Sequence, residues 1–166
     1  MASGPGKSAA SILLVLNLVL YLIIIIISAW ALNHGVVRAR ESASVLSIPA
    51  RIFPIYFPFG NTATGFFVIF SLIAGVVGFV TSATGIANVA KWNLSDLHAA
   101  AASSLASWAL TLLAMGFACK EIDISWTNST LRTLEVMMII VSGTQLFCTG
   151  AIQVGVEDAE KMMTRW

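Results

Sequence analysis

An all-α integral membrane fold, a four-helix bundle with a long loop between helices 1 and 2, is what this sequence predicts. Three observations carry it. The chain is 58% hydrophobic and 10% charged, whereas a soluble domain carries about 25% charged residues. The charges are also segregated: residues 8–33, 52–90, 99–119 and 136–156 contain no Asp, Glu, Lys, Arg or His. A membrane-crossing helix needs about 20 such residues, and a charge at its centre costs about 2.5–3.5 kcal/mol. Finally, Trp30, Trp92 and Trp126 fall at the ends of these runs, where indole rings anchor in the interface. The chain is read as one membrane domain over residues 1–166.

Helix 1 is predicted over residues 10–32. Ala29-Trp30-Ala31 imitates the cleavage site of a signal peptide, with Lys7 as a basic n-region. The apolar run is much longer than the 7–15 residues of an ordinary h-region, so helix 1 is expected to be retained. Its Ile23–Ile27 stretch is bulky and β-branched, and is expected to face lipid. Asn33-His34-Gly35 is read as its end. The long loop that follows carries Arg38, Arg40, Glu41 and Arg51, then Phe53, Pro54, Tyr56, Phe57, Pro58 and Phe59. Its prolines exclude a continuous helix, and the segment is placed in or near the interface.

Helices 2, 3 and 4 are predicted over residues 62–88, 99–118 and 136–156. Lipid supplies no hydrophobic drive for helix association, so packing depends on small residues. Helix 2 offers Ala74, Gly75, Gly78, Thr81, Ser82 and Gly85. Helix 3 offers Ala99–Ala102, Ser103, Ala106, Ser107 and Ala109, and helix 4 offers Ser142, Gly143, Thr144, Gly150 and Ala151. Tyr21 and Trp108 fall near the middle of their helices, where their polar atoms are expected to face the bundle. Arg132 and Glu135, three apart before helix 4, are expected to form an interfacial salt bridge. Cys119 ends helix 3 and Cys148 lies deep in helix 4, about 18 Å down at 1.5 Å per residue. They are expected not to pair.

Four spans place both termini on one side. Lys7, Lys91, Lys161 and Arg165 then oppose Arg38, Arg40, Arg51, Lys120 and Arg132, a balance that the positive-inside rule does not resolve. Cytoplasmic termini are the expectation adopted. Asn93-Leu94-Ser95 and Asn128-Ser129-Thr130 are glycosylation sequons on opposite faces, so at most one is modified.

Several functions are excluded by what is missing. A net charge of +1 provides no field for nucleic acid. No metal cluster, nucleophile with its base, or phosphate cradle occurs, so no catalytic residue, metal or cofactor is expected, and no enzyme. Gly6-Lys7-Ser8 lacks the earlier glycine and the strand of a phosphate-binding loop. Carriers coupled to ions commonly hold an ionisable group near the midplane; here the candidates are Asn17, Tyr21, Ser103, Ser104, Ser107, Trp108, Thr111 and Gln145.

Asn17 and Gln145 must hydrogen-bond inside the bundle, as helix glue or as the lining of a polar site. In the loop, Arg38, Arg40 and Arg51 with Tyr56 suit a carboxylate on an apolar ring. The competing reading is arginines on lipid headgroups and aromatics in the interface. The substrate-binding candidates are therefore Arg38, Arg40, Arg51, Tyr56, Asn17 and Gln145, with the lipid bilayer as partner and a homo-oligomer allowed.

Long strings of the chain resemble the plant AWPM-19-like plasma-membrane proteins. Among them are Lys7-Ser8-Ala9-Ala10, Trp30-Ala31-Leu32-Asn33-His34-Gly35, and the run from Ala43-Ser44-Val45-Leu46-Ser47-Ile48-Pro49 to Pro58. Leu97-His98-Ala99-Ala100-Ala101-Ala102-Ser103-Ser104, Ala118-Cys119-Lys120-Glu121-Ile122-Asp123 and Gln145-Leu146-Phe147-Cys148-Thr149-Gly150-Ala151 extend the resemblance in the same order. Glu157–Trp166 lies outside it. The resemblance implies a four-span protein of the plant plasma membrane, associated with dehydration, cold and seed maturation under abscisic acid. Import of that acid has been attributed to the family. A structural or regulatory role in the membrane during water stress, without transport, is the alternative. The resemblance supplies no binding motif, so the candidate residues rest on their chemistry.

Overall fold

The computed structural model describes residues 5–45, 62–124 and 129–164. The described residues form four helices: α1 (Pro5–Val45), α2 (Thr62–Lys91), α3 (Leu94–Ile124) and α4 (Ser129–Met163). All four are long and apolar enough to cross a membrane. α1 packs on α2 and α4, and α3 packs on the same two, so the helices form a square up-down-up-down bundle. The link between α1 and α2, with Arg51, Tyr56 and its prolines, lies outside the described residues, as does Trp126.

Each helix runs past its expected span. The hydropathy run marks the hydrocarbon crossing, and nothing in the flanking charged sequence breaks a helix. The largest extension is α1, which passes through Asn33-His34-Gly35 and reaches Val45. The reading of Gly35 as the helix end is thereby corrected. One glycine costs a helix interior only about 1 kcal/mol, and residues 36–45 contain no proline. Arg38 and Arg40 accordingly sit on α1, not in a loop.

The core follows a strict alternation of three- and four-residue steps. On α1 the buried positions are Ala10, Leu14, Asn17, Tyr21, Ile24, Ser28, Ala31 and Gly35. On α2 they include Thr64, Val68, Ser71, Gly75, Gly78, Ser82, Gly85 and Val89. On α3 they are Leu97, Ala100, Ser104, Ser107, Thr111, Ala114, Ala118 and Glu121. On α4 Leu134, Met138, Val141, Gln145, Cys148, Ile152 and Gly155 continue the pattern. A 3.5-residue period is the signature of left-handed bundle packing.

Glycines set the register of α1 against α2. A Cβ at Gly85 would come within 2.9 Å of Leu14 Cδ2, and one at Gly75 within 3.0 Å of Ile25. A Cβ at Gly78 would overlap the Tyr21 ring, so only glycine admits that ring. Leu14, Tyr21 and Ile24 therefore lie level with Gly85, Gly78 and Gly75. The Ile23–Ile27 stretch is divided by this seam: Ile24 is buried, while Ile23 and Ile26 are exposed toward lipid.

α2 and α3 are joined by a tight turn. Trp92 adopts φ 54°, a left-handed conformation that is uncommon for a bulky residue. Its amide donates to Asn88 O at 3.2 Å, and Leu97 N donates to Asn93 O at 2.9 Å to open α3. The Trp92 ring packs against Gly155 of α4. Lys7 caps this end, donating to Ala90 O at 2.9 Å, with its ammonium 5.6 Å from the Trp92 ring centre. The sequon at Asn93 is thus built into the turn. Cys119 and Cys148 are both free, the first exposed and the second buried.

Candidate functional site

Two successive levels of the core are polar. Tyr21 lies midway along the α1 span Gly6–Arg38, so these levels sit near the membrane midplane. One holds Asn17, Ser82, Ser104 and Cys148; the next holds Tyr21, Gly78, Ser107 and Gln145. Below them lies an apolar cluster including Leu14, Val89, Leu97, Ala100, Ile152 and Val156. Above them lies a second, with Ile24, Phe67, Ala114, Met138 and Val141.

Side chains from three helices meet in this zone. Asn17 Nδ2 donates to Gln145 Oε1 at 2.8 Å. Gln145 Nε2 donates to Ser104 Oγ at 3.0 Å and lies 3.3 Å from Ser104 O. Ser104 Oγ is 2.7 Å from Thr149 Oγ1, which in turn donates to Gln145 O. Across the bundle diagonal the Tyr21 hydroxyl is 2.8 Å from Thr111 Oγ1 and accepts from Ser107 Oγ at 3.4 Å. Trp108 Nε1 donates to Ser142 O at 3.2 Å. The expectation that Asn17, Gln145, Tyr21 and Trp108 turn their polar atoms inward therefore holds. Every group in the zone is formally uncharged, which suits hydrocarbon depth, where an ion is costly.

Four buried polar atoms have no hydrogen-bond partner among the described residues: Asn17 Oδ1, Ser28 Oγ, Ser71 Oγ and Ser82 Oγ. Elsewhere hydroxyls satisfy themselves on their own helix, as Thr81 does on Gly78 O and Thr84 on Val80 O. The four exceptions all belong to the α1–α2 seam. Asn17 and Ser82 fall between the Leu14–Gly85 and Tyr21–Gly78 contacts and so share a level. Ser28 and Ser71 share another, one turn beyond Ile24 and Gly75.

A second polar cluster closes the far end of the bundle. Thr64 Oγ1 lies 2.8 Å from both carboxyl oxygens of Glu121. Glu121 and Glu135 are both buried, and the charges of Glu121 and Arg132 both act on Glu135. Of the expected interfacial pair, Arg132 is exposed and Glu135 is buried, and the Arg132 charge acts on the Glu135 carboxyl. Phe66, Phe70 and Phe117 stack beside this end, with Phe70 and Phe117 centroids 5.2 Å apart.

The substrate-binding candidates do not form one constellation. Asn17 and Gln145 are bonded to each other at mid-depth. Arg38 is exposed on α1, about 30 Å along the helix from Asn17 at 1.5 Å per residue. Arg40 lies on the same helical extension, and Arg51 and Tyr56 lie outside the described residues. Sequence reasoning missed Ser82, Thr149, Thr64 and the buried carboxylates. The seven-residue repeat was the available signal, since it puts Asn17, Ser82, Ser104 and Glu121 on core stripes. No group of three His, Cys, Asp or Glu suited to a metal occurs among the described residues.

Comparison with known proteins locates the chain. Residues 15–155 match the model of the AWPM-19-like family. Membrane protein PM19L of Oryza sativa subsp. japonica is 38% identical over 154 residues, covering 92% of this chain and 82% of the rice protein. No solved structure matches.

Proposed function

The chain belongs to the AWPM-19-like family, and we propose that it acts at the plant plasma membrane as a facilitator of abscisic acid uptake during dehydration, cold and seed stress. The observation that carries this reading is the uncharged polar zone at mid-depth, where Asn17, Gln145, Tyr21, Ser104 and Thr111 converge between two apolar clusters. A weak acid with an apolar ring needs hydrogen bonds for its carboxyl group and apolar walls for its ring. The zone offers both without a fixed charge.

In this reading the exposed Arg38, with Arg40, Arg51 and Tyr56, gathers the acid at the membrane surface. Asn17 and Gln145 belong to its passage. The termini are assigned to the cytoplasm, and no chemical step on the solute is involved. Without an ionisable group among the mid-depth side chains, facilitated passage is favoured over pumping.

One observation favours a second reading. Asn17, Gln145, Ser104 and Thr149 form a continuous hydrogen-bonded chain within the bundle, which is what interhelical glue requires. The protein would then stabilise the membrane or a partner during water loss.

Uptake of labelled abscisic acid by liposomes holding the purified protein separates the two, with empty liposomes run alongside for leak of the protonated acid. Saturable uptake above the leak is expected for a facilitator. Uptake equal to the leak, with the protein correctly inserted, would favour the structural role.

A further inference from the structure

The unpartnered atoms of the α1–α2 seam differ in kind at the two levels. Ser28 and Ser71 are two hydroxyls, each able to donate or accept. At the other level Ser82 is again a hydroxyl, and only Asn17 is restricted to one role. Asn17 uses Nδ2 on Gln145, which fixes the amide so that Oδ1, a pure acceptor, is the free atom. Ser82 is 1% exposed and leaves its hydroxyl unused, although the neighbouring Thr81 and Thr84 bond back to their own helix. One bare acceptor and one available donor thus share a level near the midplane.

We propose that Asn17 and Ser82 form a two-point site for an uncharged carboxyl group. Asn17 Oδ1 accepts from the acid O–H, and the Ser82 hydroxyl donates to the acid C=O. A carboxylate does not fit, because its oxygens only accept and would face Asn17 Oδ1 directly. A primary carboxamide fits as the acid does, by N–H donation and C=O acceptance. This rests on the facilitator reading and deepens it: the species taken up is the protonated acid, and an acidic exterior drives it inward without protonating the protein.

The surroundings of the site agree. From α1 the nearest titratable group is Tyr21, and from α4 it is Cys148, whose thiol lies against Asn17. α3 contributes Ser104 and Ser107, and α2 contributes Gly78 and Gly85. Phenols and thiols do not ionise between pH 4 and 7, so over that range the solute is the group that titrates within the site. Glu121 and Glu135 lie at the far end of the bundle, beyond the Ile24 and Ser28 levels.

Binding is tested apart from transport, by thermal stabilisation of the purified protein in detergent micelles. The probes are cyclohexanecarboxylic acid, its primary amide and its methyl ester. The acid should bind on the order of 100-fold more weakly at pH 7 than at pH 4, following its neutral fraction for a carboxyl pKa near ~4.5. The amide should bind equally at both. The ester, which lacks a donor, controls for partition into the micelle and should give no saturable shift.

Ser82→Ala should weaken acid and amide roughly 5- to 10-fold while melting no lower than the parent protein, whereas Ser71→Ala should leave both affinities unchanged. Equal acid binding at both pH values, an ester as good as the amide, an unaffected Ser82→Ala variant, or no saturable shift with any probe would each overturn the site. Saturable binding without liposome uptake leaves the site standing and removes the facilitator. Saturable uptake by a Ser82→Ala protein as fast as the parent does the reverse.

Discussion

The bundle carries two polar clusters, and they follow different plans. At mid-depth Asn17, Tyr21, Ser104, Ser107, Thr111, Gln145 and Thr149 share hydrogen bonds between neutral groups. At the far end Thr64 meets Glu121, with Glu135 also buried nearby. Depth explains the difference. An amide or hydroxyl loses modestly on leaving water if it finds a partner, whereas an ion loses several kcal/mol even when paired. Carboxyl groups are therefore held near the ends, Glu121 beside Lys120 and Glu135 one turn from Arg132, and the centre is left to neutral groups. Both clusters are buried, but only the outer one is made of acids.

The contrast is broken most severely by filling the middle. Gly78→Leu drives a side chain into the space of the Tyr21 ring and displaces the hydroxyl from Thr111. Overpacking a close core costs about 1–3 kcal/mol, and the displaced hydroxyl adds its own burial cost. This variant should fail to hold the native bundle, read as loss of a cooperative melting transition in detergent. Gly116→Leu is the matched control, since a Cβ there meets nothing within 4 Å, and it should melt close to the parent.

Thr64→Val tests the outer cluster. It preserves volume and removes the donor that lies 2.8 Å from both Glu121 oxygens. A hydrogen bond to a charged group contributes about 1.5–3 kcal/mol, so a loss in that range is expected from equilibrium unfolding. Adding Glu121→Gln to Thr64→Val should recover part of the loss, because a neutral amide is cheaper to bury. No recovery would show that the carboxyl of Glu121 is not the source of the cost.

Helix number and approximate span were legible in the sequence because charge is so expensive in hydrocarbon that its absence over residues 8–33 or 99–119 has one physical reading. The ends were less legible. Hydropathy falls at Asn33-His34-Gly35, but no backbone hydrogen bond is lost there, and α1 continues to Val45. Polar residues such as Asn17 and Gln145 were recognisable as inward-facing, since neither can be left unpaired in lipid. Their pairing with each other was not, because it depends on which helices are neighbours. The buried position of Glu121 was concealed by its place beside Lys120 at a helix end, where a solvated carboxylate is the ordinary expectation. The three-four spacing from Leu97 to Glu121 was the cue that it faces inward.

Within the central cluster, a double-mutant cycle sharpens the comparison. Asn17→Leu and Gln145→Leu each leave a buried amide without its partner. Removing both should be less harmful than their sum. Interhelical hydrogen bonds in membranes contribute about 0.6 kcal/mol on average and at most about 1.7, so the coupling should fall in that interval. A coupling near zero would mean the two amides find other partners, as the Gln145–Ser104 bond provides for one of them.

The smallest effect is expected at the unpartnered serines, and its sign matters more than its size. Ser71 is fully buried and makes no hydrogen bond among the described residues. In a dry seam its hydroxyl is a cost, so Ser71→Ala should leave stability unchanged or raise it by up to about 1 kcal/mol. If Ser28 and Ser71 instead share a bridging water, the same change removes two good hydrogen bonds and stability falls. The Ser28→Ala/Ser71→Ala pair then decides between the cases. In a dry seam the two changes act independently, whereas around a shared water the first loses the bridge and the second costs little more.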